Sequence, residues 1–311
     1  EGVEDIVAEA DLLWAVLLRR IGKLSRTYGF ERVEVPLLED MRLYEQFYKS
    51  SPKELSKLIS AQLPGKIACV RGDFLPSVLR AYYQHKVYEK SPLSKWSYGG
   101  FTLRQGHEAL VSEYKFGFEV FGAFNHLTEA QVIGGVWEFL QNLGLKDVTL
   151  EINHIGQEDC QAAYGQTLFD FLHGKKYQLC DDCNEHLTGR ILNVFRCDNI
   201  DCQALLSEAP AVLDFLDEES RKHFTNILEA LDELGIPYQL NPLYAGSDGH
   251  SRTNLAIKYK YKNETFILGE GGYHEGLMQR LCGKSHCCFG FVSNLSKIKF
   301  LIEANKTTVS K

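Results

Sequence analysis

The order of periodic segments along the chain predicts an α+β fold: a mixed, mostly antiparallel sheet flanked by helices and interrupted by a helical insertion. Alternating runs such as KFGFEVFG (residues 115–122) and NLAIKYKYKNETFIL (254–268) sit beside short polar turns, as antiparallel hairpins require. Helical periodicities fall between groups of strands rather than after each strand, which argues against repeating βαβ units. Residues 157–235 carry helical spacing and a cysteine cluster but no alternating strands, so 1–156 and 236–311 are expected to form one core around an insertion.

Each element follows from local pattern. Residues 11–28, DLLWAVLLRRIGKLSRTY, place Leu12, Leu13, Val16, Leu17, Ile21 and Leu24 on one helical face, with Gly29 as the stop. FERVEVPLLED follows as a strand through Phe30, Val33 and Val35, ended by Pro36, which cannot donate to a central ladder. ACVRGDFLPSVLRAYYQHKVY reads as strand, turn and helix, with Val78, Leu79, Tyr82, Tyr83 and Val87 as the apolar stripe. FTLRQGHEALVSEYKFGFEVFG (101–122) is a hairpin, HLTEAQVIGGVWEFLQNLGL (126–145) an amphipathic helix begun near Thr128, and DVTLEINHIG (147–156) a strand. Past the insertion, YQLNPLY (238–244), NLAIKYKYKNETFIL with its KNE turn and HCCFGFVS (286–293) are strands, and LSKIKFLIEAN is a closing helix. GEGGYHEG is glycine-rich but lacks the strand-then-helix setting of a phosphate loop, so it reads as a tight turn beside a pocket.

Composition narrows the function. The 311 residues suffice for one large core and a smaller insertion. Apolar stretches such as LLWAVLL are broken by charge well before the roughly 20 residues of a membrane-spanning helix, so no membrane partner is expected. The first residues, EGVEDIVAEAD, are acidic, unlike a signal peptide. With 34 Lys and Arg against 41 Asp and Glu, the formal charge is −7, which argues against tRNA or another polyanion as a partner. Nine cysteines without a secretory signal point to a reducing, cytoplasmic compartment, where they serve as thiols or metal ligands.

Cys180 and Cys183 form a CxxC, and Cys197 and Cys202 a Cx4C that follows closely. Two short pairs on turns can aim four thiolates at one point, which suits a closed, structural zinc site; ordinary buried or surface thiols are the alternative. His186 is a substitute ligand in the same stretch, whereas Asp182, Asp198 and Asp201 read as turn residues. Cys69, Cys160, Cys282, Cys287 and Cys288 have no ligand spacing and read as core.

The chain order of RAYYQHKVY, KFGFEVFG, INHIG, LLSEAPAVLDFLDEESRKHF…LDELGIPYQLNP and GEGGYHEGLMQRLCG resembles the catalytic core of histidyl-tRNA synthetase, a class II aminoacyl-tRNA synthetase, over nearly all of residues 1–302. The resemblance implies a class II sheet with flanking helices and a helical insertion, and a homodimer built through the first long helix and the strand carrying Pro36. It also implies a cleft for ATP, magnesium and histidine. In that family the arginine of an FRxE motif holds the α-phosphate of ATP, and Arg104 occupies its place, with Gly106 where the glutamate stands and a following loop about three residues shorter. In GFVSNLSK, Lys297 stands for the arginine that reaches the γ-phosphate and Asn294 for a glycine that lets the nucleotide approach. Arg104, Glu119 and Lys297 are therefore the nucleotide-side candidates.

For the amino acid, Asp73 of VRGD takes the place of the glutamate of LRPE, Lys115 replaces a glutamine, and Glu119 is retained. The family's RGLDYY becomes AGSDGH, with Ala245 for the arginine and Gly249 and His250 for the tyrosines, leaving Asp248. Tyr273 keeps a tyrosine in the last pocket segment. Asp73, Lys115, Glu119, Asp248, His250 and Tyr273 are the pocket candidates, while His107, His250 and His274 near the cleft suit surface or packing roles.

Removing one charge-stabilising donor commonly costs about 3 to 4 kcal/mol of transition-state stabilisation, and several have changed together here. The resemblance therefore implies a paralogue that has lost aminoacylation. Such paralogues include the regulatory subunit of ATP phosphoribosyltransferase, which partners a catalytic phosphoribosyltransferase subunit in histidine biosynthesis and lacks the anticodon-binding domain, a domain not expected in this sequence. The alternative is the catalytic core of a histidine–tRNA ligase, which would use ATP and magnesium.

Overall fold

A computed structural model describes residues 5–246 and 249–307. Helix α1 (Ala8–Thr27) turns Trp14, Val16 and Leu17 inward and stops at Gly29, whose φ of 73° suits a residue without a Cβ. The chain then runs through β1 (Glu31–Arg32), β2 (Leu38–Asp40), α2 (Met41–Phe47), α3 (Pro52–Ser56), β3 (Ser60–Leu63), β4 (Lys66–Val70), α4 (Leu75–Gln84) and α5 (Val87–Lys90). A long hairpin, β5 (Ser94–Gln105) and β6 (Leu110–Phe121), leads into α6 (His126–Asn142) and β7 (Val148–His154). The insertion carries α7 (Glu158–His173), α8 (Asp181–His186), α9 (Ile200–Leu206) and α10 (Glu218–Glu233). Then come β8 (Tyr238–Leu240), β9 (Ser251–Tyr261), β10 (Glu264–Tyr273), α11 (Glu275–Cys282), β11 (Cys288–Asn294) and α12 (Leu295–Ala304).

The main sheet has the order β1-β5-β6-β11-β10-β9-β7-β8, antiparallel throughout except for the parallel edge pairs β1/β5 and β7/β8. A small sheet, β2-β4-β3, stands apart. This is the α+β arrangement read from the alternating runs. The strand expected at 30–35 pairs over only two residues, because β2 leaves beyond Pro36 to join the small sheet. The expected strand at 238–244 likewise shortens to Tyr238–Leu240.

GEGGY is strand, not the expected turn: Gly269 to Tyr273 pair with β11 on one side and β9 on the other. The glycines serve close packing. A Cβ on Gly271 would lie 2.5 Å from the Gly290 carbonyl oxygen, and one on Gly269 would lie 2.5 Å from the Phe291 ring.

Strand alternation divides β6 between two faces. Phe116, Phe118 and Val120 join a core beneath α1, α6, α10 and α12, with Leu17, Ile133, Leu150, Ile257 and Ile298. Lys115, Glu119 and Phe121 face the other side, where α4 and α11 contribute Val78, Leu79, Tyr82 and Leu277. A separate core inside the insertion gathers Tyr164, Leu168, Leu179, Cys183, Cys202 and Val212, together with Ile155 and Ala245. Phe224, Ile227 and Leu231 of α10 pack in the main core instead. Among the described residues no helix is long and apolar enough to cross a membrane.

Gly290 on β11 pairs with Glu119, and a Cβ there would lie 1.9 Å from the Glu119 carboxylate. Gly290→Ala is therefore expected to destabilise the fold by about 1 to 3 kcal/mol, as overpacking of a closed site does. A urea midpoint unchanged from the parent would show that Glu119 can move aside freely.

Candidate active-site cleft

A cavity of about 220 Å³ opens on the second face of the sheet. Its wall is built from Phe47 of α2, Leu75 of α4, Leu277 of α11, the middle of β10, and the facing ends of β6, β11 and α12. Asp73, Lys115, His250 and Lys297 all line it, so residues far apart in sequence meet as expected. Asp248 lies outside the described residues.

Arg104 is turned inward and engaged by protein groups. Its Nε donates to the Gly72 carbonyl at 2.8 Å, Nη1 to Glu54 Oε2 at 2.8 Å, and Nη2 to the Tyr48 hydroxyl and, at 3.4 Å, to Asp73 Oδ2. Glu54 comes from α3, and its other oxygen accepts from Lys57 at 2.6 Å. A guanidinium has five N–H donors in a fixed fork, and three of its edges are occupied here. The hairpin sequence gave no sign of Glu54 or Tyr48, because both lie about fifty residues upstream.

Glu119 is fully buried and does not itself line the cavity; it lies directly behind Gly290 and His274, which do. The Tyr98 hydroxyl donates to its Oε1 at 3.0 Å, the Cys288 thiol approaches Oε2 at 3.7 Å, and His274 Nε2 lies 3.6 Å from Oε2. Burial, assisted by the nearby Asp73 charge, pushes the Glu119 carboxyl up to about 8 despite the two hydrogen bonds that pull it down. Burial and the neighbouring His250 hold His274 well below the ordinary histidine value. The contact between them is accordingly one of two neutral groups at neutral pH, not an ion pair.

Both ring nitrogens of His274 are buried without a hydrogen-bond partner, and the residue faces the cavity. Its ring centroid is 4.6 Å from that of His250. His250 Nδ1 lies 2.8 Å from Asn254 Oδ1, and the Asn254 amide nitrogen already donates to the Arg252 carbonyl at 3.1 Å. That network assigns the proton to His250 Nδ1.

Tyr273 does not reach the cleft. Its hydroxyl donates at 2.6 Å to Glu129 Oε1 of α6, which also meets His223 Nε2 at 2.6 Å in the main core. Adjacent strand residues point to opposite faces, so placing Tyr273 beneath the sheet delivers His274 to the cavity. His107 sits exposed on the hairpin turn, whereas His250 and His274 are buried and line the cleft.

At the start of α12, Asn294 caps the helix by accepting from the Lys297 N–H at 3.0 Å. Its amide nitrogen donates to Glu113 Oε1 at 2.6 Å, and Lys115 Nζ lies 3.7 Å from Glu113 Oε2. All four of these residues line the cavity.

In the insertion, the ligand atoms of Cys180, Cys183, Cys197 and Cys202 all lie within 4.8 Å of one another, a group that could hold a metal ion. Backbone N–H groups of Cys180 and Asn199 point at Cys202 Sγ and Cys197 Sγ, at 3.2 and 3.4 Å, as they would toward thiolates. His186 is not part of the group.

The buried acid gives stability a defined pH dependence. A carboxyl whose folded pKa lies near 8 contributes stability that is full below about 4.5 and is lost as pH rises through about 8. Glu119→Gln should match the parent in urea unfolding at pH 5 and exceed it at pH 9 by a few kcal/mol. Parallel stability curves for the two proteins would show that Glu119 ionises freely.

The profile of the histidyl-tRNA synthetase family matches residues 2–298. Histidine–tRNA ligases of Halothermothrix orenii and Maridesulfovibrio salexigens are each 28% identical, over 96% and 97% of this chain and 72% and 76% of their own lengths. Histidyl-tRNA synthetase from S. aureus shares the fold with a TM-score of 0.82 at 24% identity, covering 99% of this chain and 74% of that one. The ATP phosphoribosyltransferase regulatory subunit/histidyl-tRNA synthetase from Bacillus halodurans has a TM-score of 0.69 at 14% identity, covering 96% and 81%. With a match along nearly its whole length and a class II sheet, the protein belongs to the histidyl-tRNA synthetase family.

Proposed function

We propose that this family member has lost histidine activation and acts as a ligand-binding, regulatory subunit of the ATP phosphoribosyltransferase type, alongside a catalytic phosphoribosyltransferase subunit. The observation that carries it is the engagement of Arg104 by Gly72, Glu54, Tyr48 and Asp73. An arginine stabilises a developing phosphate charge only if its fork is presented to the nucleotide, and this one would have to exchange two carboxylates first. The Asn294–Glu113 bond, on the side expected for the nucleotide, supports the same reading. The cavity lined by Asp73, Lys115, His250 and His274 remains able to take a small polar ligand. A second reading, an active ligase core using ATP and magnesium, draws on the curated relatives, which are histidine–tRNA ligases, and on Glu119 keeping its place.

Histidine-dependent exchange of pyrophosphate into ATP separates the two. We expect no exchange above background, with L-histidine raising the melting temperature and ATP leaving it unchanged. Appreciable exchange would establish the ligase reading.

The four facing thiols are read as a structural zinc site, in keeping with free cysteines in a reducing, cytoplasmic setting. Exposed Leu12 and Leu18 on α1, with Leu37 and Leu38 beyond Pro36, support a homodimer through that surface. Native mass spectrometry tests both at once, with a dimer of 35.3 kDa chains and one zinc per chain as the expected species. A monomer would remove the dimer, and less than one equivalent of zinc after reducing purification would remove the metal.

A further inference from the structure

Two stretches beside the cleft are attached to the insertion: residues 48–57, which follow the cavity-lining Phe47 and carry the Tyr48 and Glu54 that hold Arg104, and the chain at Ala245 and His250. Ala245, only 6% exposed, packs in the same apolar cluster as Cys183 and Cys202, both fully buried. A few residues on, the His250 carbonyl accepts from Arg190 Nη2 at 3.3 Å, and His250 lines the cavity. At the other stretch, Asn193 Nδ2 donates to the Ser50 carbonyl at 3.4 Å. Lys53 Nζ pairs at 2.5 Å with Asp182, which stands inside the CxxC between Cys180 and Cys183. The residue after Lys53 is Glu54, which holds Arg104, which in turn reaches Asp73 at the cavity.

An exposed ion pair and two long hydrogen bonds are individually weak. They act together only if residues 180–202, from which all of them spring, are held in one shape. Two short cysteine pairs separated by a loop have no covalent tie, whereas a metal bound by four thiolates joins both pairs at one point, and its binding free energy becomes folding free energy of a small module.

We propose that the cysteine hairpin is a strut for the cleft: metal bound by Cys180, Cys183, Cys197 and Cys202 fixes the position of residues 48–57, which hold Arg104 beside Asp73, and of the chain at Ala245 and His250, with Asp182 the positioning residue on the first stretch. The proposal rests on the zinc reading and is independent of which ligand the cleft takes. It makes the pocket responsive to zinc supply or thiol oxidation without any metal ligand touching the cavity.

Hydrogen exchange of the full chain tests this, with the protein loaded with zinc, chelated under reducing conditions, and reloaded. Chelation should raise exchange in 48–57 and 243–250 about tenfold or more, reversibly, while β6 and β11 stay protected. Asp182→Asn combined with Asn193→Ala should keep one equivalent of zinc and the protection of 176–206 while raising exchange in 48–57. If chelation loosens 176–206 and leaves both stretches as protected as before, the strut is overturned. Loss of protection in β6 and β11 to the same extent as the two stretches would mean global unfolding and would equally overturn it. If zinc does not bind at all, the zinc reading fails and the strut fails with it.

Discussion

A fully buried carboxyl group with no cation among its hydrogen-bond partners, Glu119, constrains the centre of this protein. Water cannot solvate it, so the surrounding strands must supply its partners and its space. Tyr98 on β5 donates to it, Cys288 and His274 approach it from the far side, and β11 carries a glycine opposite because nothing larger fits. The adjoining strands are thus tuned to one acid, and the acid answers by holding its proton. A neutral pair of carboxyl and imidazole is a different environment from one that presents a carboxylate to a cationic ligand.

Arg104 shows the same principle at the cleft edge with the opposite outcome. A cation poised for a phosphate is held by few competing acceptors, so that the ligand completes its coordination. Here Glu54 and Asp73 complete it internally, and α3, the small sheet and the long hairpin are drawn together around it. The guanidinium is thereby held by the fold itself.

The sequence made the main architecture legible because it rests on alternation and helical spacing: the β5/β6 and β9/β10 hairpins, α1, α6 and α12 all stand where those periods placed them. The cysteine group was legible from spacing alone. What escaped was decided by packing between distant segments. GEGGY looked like a turn because glycine usually loosens a chain, yet here it admits neighbouring strands at close range. Tyr273 was matched by residue type, whereas the alternation of β10 decides which side chain faces the cleft, and that is His274. The internal partners of Arg104 carry no motif, and a charged residue on α3 is indistinguishable in sequence from any solvated surface group.

The strand order also bears on how the molecule assembles. β6 pairs with β11, so Glu119 and Cys288, 169 residues apart, meet only after the chain has been synthesised past residue 288. The β5/β6 hairpin and the insertion, built from nearby segments, can form much earlier, since local contacts close small loops. During that interval β6 has an unpaired edge and its acid is open to water. Closure of β11 against it is a long-range event that buries Glu119 and brings the β11 share of the cavity lining into place, so the cleft depends on the least local strand pairing of the main sheet.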